Sequence, residues 1–340
     1  MKQEYTADQK ELCKSPLTPD LSKAARRLHA NKYKQLQATL NRFVIWHPIA
    51  IIIYTTVIPS ILVYKLWEFV EVSDSLLEFV FLLMKNPRDF IFNVVSGFPM
   101  IAGIFGIFGF FTFMMGDDMG SIQNKMILGD YNDSLFGFDY RKFMNLDIHT
   151  KDKEDKEFLK NGLNTQIIEY YDVPIAICTL VADEKQSTPE NFIVKITGLT
   201  VLKKYEMVDF DSLLLEWAVL RSHELYDEYA KNKKKVENGT ILILIEAYSF
   251  DKQLLKTLSK NNFGVMDKTY ELNPFTPVLS SGKEKLHQFL SISRDTFGLL
   301  LTTNKEDKKV MDNIKDQFLN KEEELIVEHE NLPEGIRKRT

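Results

Sequence analysis

Six histidines are the first residues to weigh for chemistry, and His29, His47, His149, His223, His287 and His329 are scattered through the 340 residues. A zinc helix needs a second histidine four positions on; His223-Glu224 has none, and a solvated helical pair accounts for it. Cys13 stands in a polar arm and Cys178 in an apolar strand pattern, too few and too unlike for a disulfide framework. There is no P-loop, no Gly-x-Ser-x-Gly and no paired Cys motif. The sharpest spacing belongs to small residues. Gly103, Gly106 and Gly109 recur every third position among Ile and Phe, and Ala102-x-x-x-Gly106 adds a small-xxx-small pair. Small side chains let helix backbones approach closely in lipid, so Ala102, Gly103, Gly106 and Gly109 are candidate binding residues. Their partner is either the other apolar helix of the same chain or a second membrane protein. No catalytic, cofactor-binding or metal-ligating residue is expected.

Those glycines lie in the second of two long runs without Asp, Glu, Lys or Arg, Phe43–Tyr64 and Phe90–Met115. Each is long enough, as helix, to cross a hydrocarbon layer of about 30 Å. Trp46 and Trp67 flank the first run at depths typical of interfacial aromatics. Residues 1–42 hold nine Lys or Arg against four acids, while the loop 65–90 holds three against five. That asymmetry predicts cytoplasmic termini and a lumenal loop, in which Leu76–Met84 lies along the interface. No removable signal peptide is visible in the polar first forty residues. Neither span carries an ionisable residue besides His47, so no polar path for a solute is expected. The net charge of −5, without aromatic–basic interleaving, argues against nucleic acid as a partner. Membrane lipids are the expected surroundings.

Beyond Gly116 a Gly/Asp-rich connection and a charged stretch lead into regular elements. Strands are predicted at 166–171, 174–182 and 192–202, a helix at 211–231 and a buried strand at 240–247. A short helix follows at 251–261, a strand at 264–272, a helix from Lys283 and a charged, solvated helix from 305 to about 330. The order of elements over 162–272 resembles the acyltransferase fold of the GNAT superfamily. That resemblance implies two glycines before the long helix, whose amides cradle a coenzyme A pyrophosphate. Here the matching stretch, Lys204–Asp211, carries Asp209 and Asp211 at those places. Two carboxylates about 5 Å from a diphosphate repel it by about 3 kcal/mol per charge pair even in a screened medium. The tyrosine acid of the superfamily falls on Leu258, and Tyr248 belongs to a strand end. The expected fold class is therefore α+β: a two-helix transmembrane hairpin followed by a GNAT-like mixed sheet with helices on both faces, and catalytically silent.

Ser15-Pro-Leu-Thr-Pro-Asp-Leu-Ser22, Leu28-His-x-x-Lys-Tyr33 and the Trp46-His-Pro48 hairpin precede that degenerate domain. Together they resemble the fungal endoplasmic-reticulum family that escorts the high-affinity phosphate transporter toward vesicle packaging. The resemblance implies a membrane chaperone with no cofactor, whose partners are the transporter and vesicle coat components. Arg337-Lys338-Arg339-Thr340 is similar to a dilysine retrieval tail. The competing class is a membrane-anchored GNAT-type N-acetyltransferase. Domains are expected as a basic cytoplasmic arm at 1–42, the hairpin at 43–115, a connection at 116–161, the acyltransferase-like domain at 162–272 and a helical charged extension at 273–340. Glycosylation sequons at Asn132 and Asn238 would go unused in a cytoplasmic domain.

Overall fold

A computed structural model describes residues 12–232, 239–276 and 281–303. The chain forms two compact units, one of residues 37–118 and the other of the remainder. The charged segment after 304 and the tail Arg337–Thr340 lie outside the described residues, as does the Asn238 sequon.

The larger unit is mixed α+β, built on one seven-stranded sheet. Its strands are β1 (Leu12–Pro16), β2 (Thr165–Tyr170), β3 (Val173–Ala182), β4 (Asn191–Val201), β5 (Thr240–Tyr248), β6 (Gly264–Thr269) and β7 (Arg294–Thr302), in the order β1-β2-β3-β4-β5-β7-β6. Every neighbouring pair is antiparallel except β4 with β5. Alternation sorts the side chains of β3. Ala176, Cys178 and Leu180 join the main core, whereas Thr179 faces the opposite side, toward His29.

The long helix covering the main core is Phe210–Asn232; numbered in chain order it is α9, after α1 (Ser22–Ile45), α2 (Pro48–Lys65), α3 (Trp67–Val72), α4 (Leu76–Lys85), α5 (Pro87–Leu128), α6 (Asn132–Phe136), α7 (Tyr140–Met144) and α8 (Lys153–Leu159). It packs on β3, β4 and β5 through Leu213, Leu214 and Ala218. Two further helices are α10 (Lys252–Lys260) and α11 (Ser281–Phe289). On the opposite face lie α6 and the first turns of α1. There the buried ring of Phe136 meets His29 edge-on, and Thr197 donates to the Leu135 carbonyl. Cys178 is a buried free thiol.

Three elements differ from the sequence reading. The N-terminal arm, read from sequence only as basic, carries regular structure: Leu12–Pro16 pairs with β2, and α1 buries Ala25, Leu28, His29, Tyr33 and Leu36. The Gly/Asp-rich stretch after 116 stays helical to Leu128, because its apolar residues Met119, Ile122 and Met126 keep helical spacing and are fully buried. Residues 294–302, expected within a helical extension, form β7. The short apolar run around Phe297 and Leu299–Leu301 is ambiguous by periodicity, and the free edge of β5 resolves it.

In the smaller unit two helices are long and apolar enough to cross a membrane, α2 and the apolar part of α5. The first apolar run is not one helix from Phe43. It breaks at His47, since Pro48 lacks an N–H and bars its predecessor from helical geometry. His47 caps α2 by accepting from the Ile49 N–H at 3.4 Å. Pro59 costs α2 one ladder bond, while Thr55, Thr56 and Ser60 satisfy their hydroxyls on carbonyls of the same helix. Few apolar side chains of the two spans are buried and many are exposed, Phe92 to 72 % and Phe110 to 66 %.

Candidate functional site

Strand geometry creates a crevice that gathers charge in the larger unit. The parallel ladder runs from Asn191 opposite Thr240 to Ile196 opposite Ile245, then stops. Beyond it β4 follows only β3, and β5 follows only β7. The carboxyl ends of two parallel strands thus splay apart, the place where ligands seat in open α/β sheets. A cavity of about 60 Å³ there is lined by Leu199, Thr200 and Val201 of β4, Glu206, Asp211, Asp251 and, from α1, Lys32 and Gln35.

The loops after the two strands set the acids. Asp209 sits at φ +24°, in the left-handed region that Asp adopts more easily than most side chains. Its carboxylate accepts from the Ser212 hydroxyl at 2.9 Å and from Lys260 at 2.7 Å, so the start of α9 is served by the chain's own anion. Asp251 caps α10 by accepting from the Leu254 N–H. Burial pushes the Asp211 carboxyl up to about 7, with Lys32 drawing it back and Asp251 and Glu206 adding to the rise. Burial raises Asp251 and Glu206 too. Lys32 is lowered by burial, against the pull of Asp251 and Asp211. One ammonium among three carboxylates leaves the cavity short of positive charge.

One turn before Lys32 on α1, His29 contacts the Thr179 hydroxyl through Nε2 at 2.9 Å, and its ring fills the space over Gly198. Burial holds it down to about 3, so it is neutral. Leu258 is fully buried in the core. The Tyr248 hydroxyl donates to the Leu272 carbonyl at 2.8 Å, and burial pushes its titration well above the usual range. Neither is placed as a proton donor at the crevice. Among the described residues no cluster of His, Cys, Asp and Glu could hold a metal. His149 is exposed, and the buried His287 contacts the Tyr270 carbonyl.

Ala102, Gly103, Gly106 and Gly109 lie together on α5, all exposed, and a Cβ at any of the three glycines would meet open space. They do not form the seam with α2. That seam runs instead through Tyr54 against Phe105 and Phe108, and through Gly97, which faces Ile61 and Lys65. The residues that sequence reasoning missed are Lys32 and Asp251. The helical spacing Ala25, Leu28, Lys32, Leu36 was a legible signal for the former.

A family model described as the inorganic phosphate transporter chaperone Pho86 matches residues 6–301. No curated protein is matched by sequence. Among solved structures the chain is similar to an Arabidopsis thaliana Naa50 bound to a bisubstrate analogue, at 15 % identity over 46 % of this chain and 84 % of that one, with a TM-score of 0.27. It is similar also to a GNAT-family acetyltransferase from Streptococcus pneumoniae, at 16 % identity over 45 % and 78 %, with a TM-score of 0.28. Likenesses of that size carry no argument about activity.

Proposed function

This chain belongs to the family of inorganic phosphate transporter chaperones, and from that premise we propose that it is a non-enzymatic escort in the endoplasmic-reticulum membrane, needed for a polytopic phosphate transporter to be packaged and to leave. The observation that carries the reading is the outward-facing apolar surface of α2 and α5. In water such a surface would drive aggregation, whereas in a bilayer it is the stable arrangement. The two helices form a transmembrane hairpin with both termini cytoplasmic, and α4, with Leu76 and Leu77 outward, rests on the lumenal interface. Small residues with nothing packed on them offer close approach to a client helix, so Ala102, Gly103, Gly106 and Gly109 are the contact with the transporter. The larger unit remains cytosolic, available to client or coat.

Acyl transfer is disfavoured by the residues at the crevice. The start of α9 carries Asp209 and Asp211 rather than glycines, and Asp251 and Glu206 add further carboxylates to the crevice. Acetyl-CoA titrated into the detergent-solubilised chain should give no heat beyond dilution; micromolar binding would revive the acetyltransferase reading.

Deletion of the protein should leave the phosphate transporter synthesised but retained in the endoplasmic reticulum, seen by microscopy and surface labelling. Unchanged delivery to the plasma membrane sinks the escort function. Gly106→Leu with Gly109→Leu adds bulk on the open stripe while keeping the segment apolar, so insertion should survive and co-purification of the transporter should fall several-fold. Wild-type co-purification would leave the function standing and remove this contact face. Protease added to sealed microsomes should destroy epitopes at both termini; a protected C-terminal epitope reverses the topology.

A further inference from the structure

β5 carries apolar side chains on both of its faces. Ile241, Ile243 and Ile245 enter the main core on the α9 side, and Leu242 and Leu244 alternate with them toward the opposite face. That pattern belongs to a strand covered on both sides; a half-solvated antiparallel strand alternates apolar with polar. The neighbouring strands extend the second face. Ile193 of β4, Leu242 of β5 and Leu300 of β7 stand in one cross-strand row. The Met266 thioether of β6 lies over Gly298, beside Leu242. α6 covers this face farther along β4, at Thr197. At the row itself Leu300 is 64 % and Met266 57 % exposed, next to the last strand of the sheet. An open apolar row beside a terminal strand invites association and calls for a cover.

The chain itself continues from this row. β7 ends at Thr302, two residues past Leu300, and residues 304–340 follow. In that sequence Val310, Met311, Ile314 and Phe318 fall within about 100° of one another at helical spacing, while Lys309, Asp312, Asn313 and Asp316 fall outside that sector. The six residues 304–309 can reach about 20 Å, enough to turn back over Leu300. A tether that short gives the segment a high effective concentration at this face, which favours it over a second copy of the chain.

We propose that residues 310–318 of this chain dock on the second face of β5 and β7, with Val310, Ile314 and Phe318 laid across Ile193, Leu242 and Leu300. The dock closes an apolar surface of the larger unit and fixes where the charged tail leaves it. It rests on the sheet and the sequence after it, and is independent of the escort reading.

Cysteine pairs test it on the full chain in detergent, in a Cys13→Ser background with the buried Cys178 retained. Leu300→Cys with Ile314→Cys should be joined within one chain by a short bis-maleimide several-fold faster than Leu300→Cys with Asn313→Cys, which lies off the apolar sector. Equal rates for the two pairs overturn the dock, and a covalent dimer as the main product overturns it in favour of a second copy. Tryptic cleavage after Lys315 is the second measurement. Leu300→Ser changes a side chain that already faces outward, so the sheet should persist while cleavage rises several-fold. Ile314→Ser should do the same, and the two together should do no more than either alone. Cleavage unchanged by Leu300→Ser, or effects of the two substitutions that multiply, would show that the segment does not lie on this face.

Discussion

Gly162→Ala is expected to destabilise the larger unit by about 3–5 kcal/mol, at the top of the range for single substitutions. A Cβ at Gly162 would lie far inside van der Waals contact with the Leu17 carbonyl oxygen and 3.1 Å from the Phe143 ring. Neither neighbour can give way cheaply. The Leu17 N–H donates to the Gly162 carbonyl at 3.1 Å, so the two backbones are clipped together where β1 hands over to α1. Phe143 is fully buried against Phe138 and Phe158. Gly198→Ala should be similarly harmful because it strikes the His29 ring, which is wedged between Thr179 and Phe136. The two cases separate in a double-mutant cycle. Gly198→Ala should be nearly neutral once His29 is Ala, giving a coupling of about 2 kcal/mol or more, whereas Gly162→Ala should cost the same in either background. Denaturant midpoints at constant m-value supply the measurement. Equal loss for Gly198→Ala with and without the histidine ring would show that α1 does not lie against β4 as described. Alanine at Gly103 or Gly106, which face open space, should leave the midpoint within about 0.5 kcal/mol.

The elements around that clip show which parts of the sequence were legible. β3, β4, β5 and α9 announce themselves through alternation, an uninterrupted apolar run and a 3.6-residue period, because each buries a face against the main core. β1 gives no such signal. Leu12–Pro16 is a five-residue edge strand with a single buried apolar side chain, and its place depends on backbone pairing with β2, 150 or more residues away. β7 is hidden for a related reason: its register is set by β5 and β6 on its two sides, which local pattern cannot report. Of the crevice, the acids at Asp209 and Asp211 were visible as departures from a glycine pattern. Lys32 was counted among nine cations of a basic arm, and only the return of α1 onto the sheet converts it from a topology charge into a cleft residue. Asp251 is legible as a helix cap and as nothing more, since its partners come from distant elements. The glycine stripe was legible as spacing, while its outward direction required the seam through Tyr54 and Gly97.

The pH dependence of stability should expose His29 and Asp211 as opposing groups. His29 is held down to about 3 by burial and, secondarily, by Lys32, so its contribution is complete above its unfolded value near 6.5 and is lost as pH falls toward 3. Asp211 is pushed up to about 7 by burial, with Asp251, Glu206 and Asp209 contributing and Lys32 opposing. Its contribution is complete below the unfolded value near 3.8 and is lost as pH rises through 7. Displacements of this size each correspond to something on the order of 4 kcal/mol. Between about pH 4 and 6.5 the two slopes oppose each other, so wild type should be nearly flat there despite both groups being strained. Substitution removes one slope and unmasks the other. Asp211→Asn should gain relative to wild type as pH rises from 4 to 7, and His29→Gln should gain relative to wild type as pH falls from 6.5 to 4. The constant offset of each variant reflects lost packing and carries no information; the sign of the slope does. Urea midpoints at half-unit pH steps on the solubilised chain would read both. Variant curves that run parallel to wild type across this window would mean that neither group is titrating within the fold, and that the α1 side of the sheet is open to water.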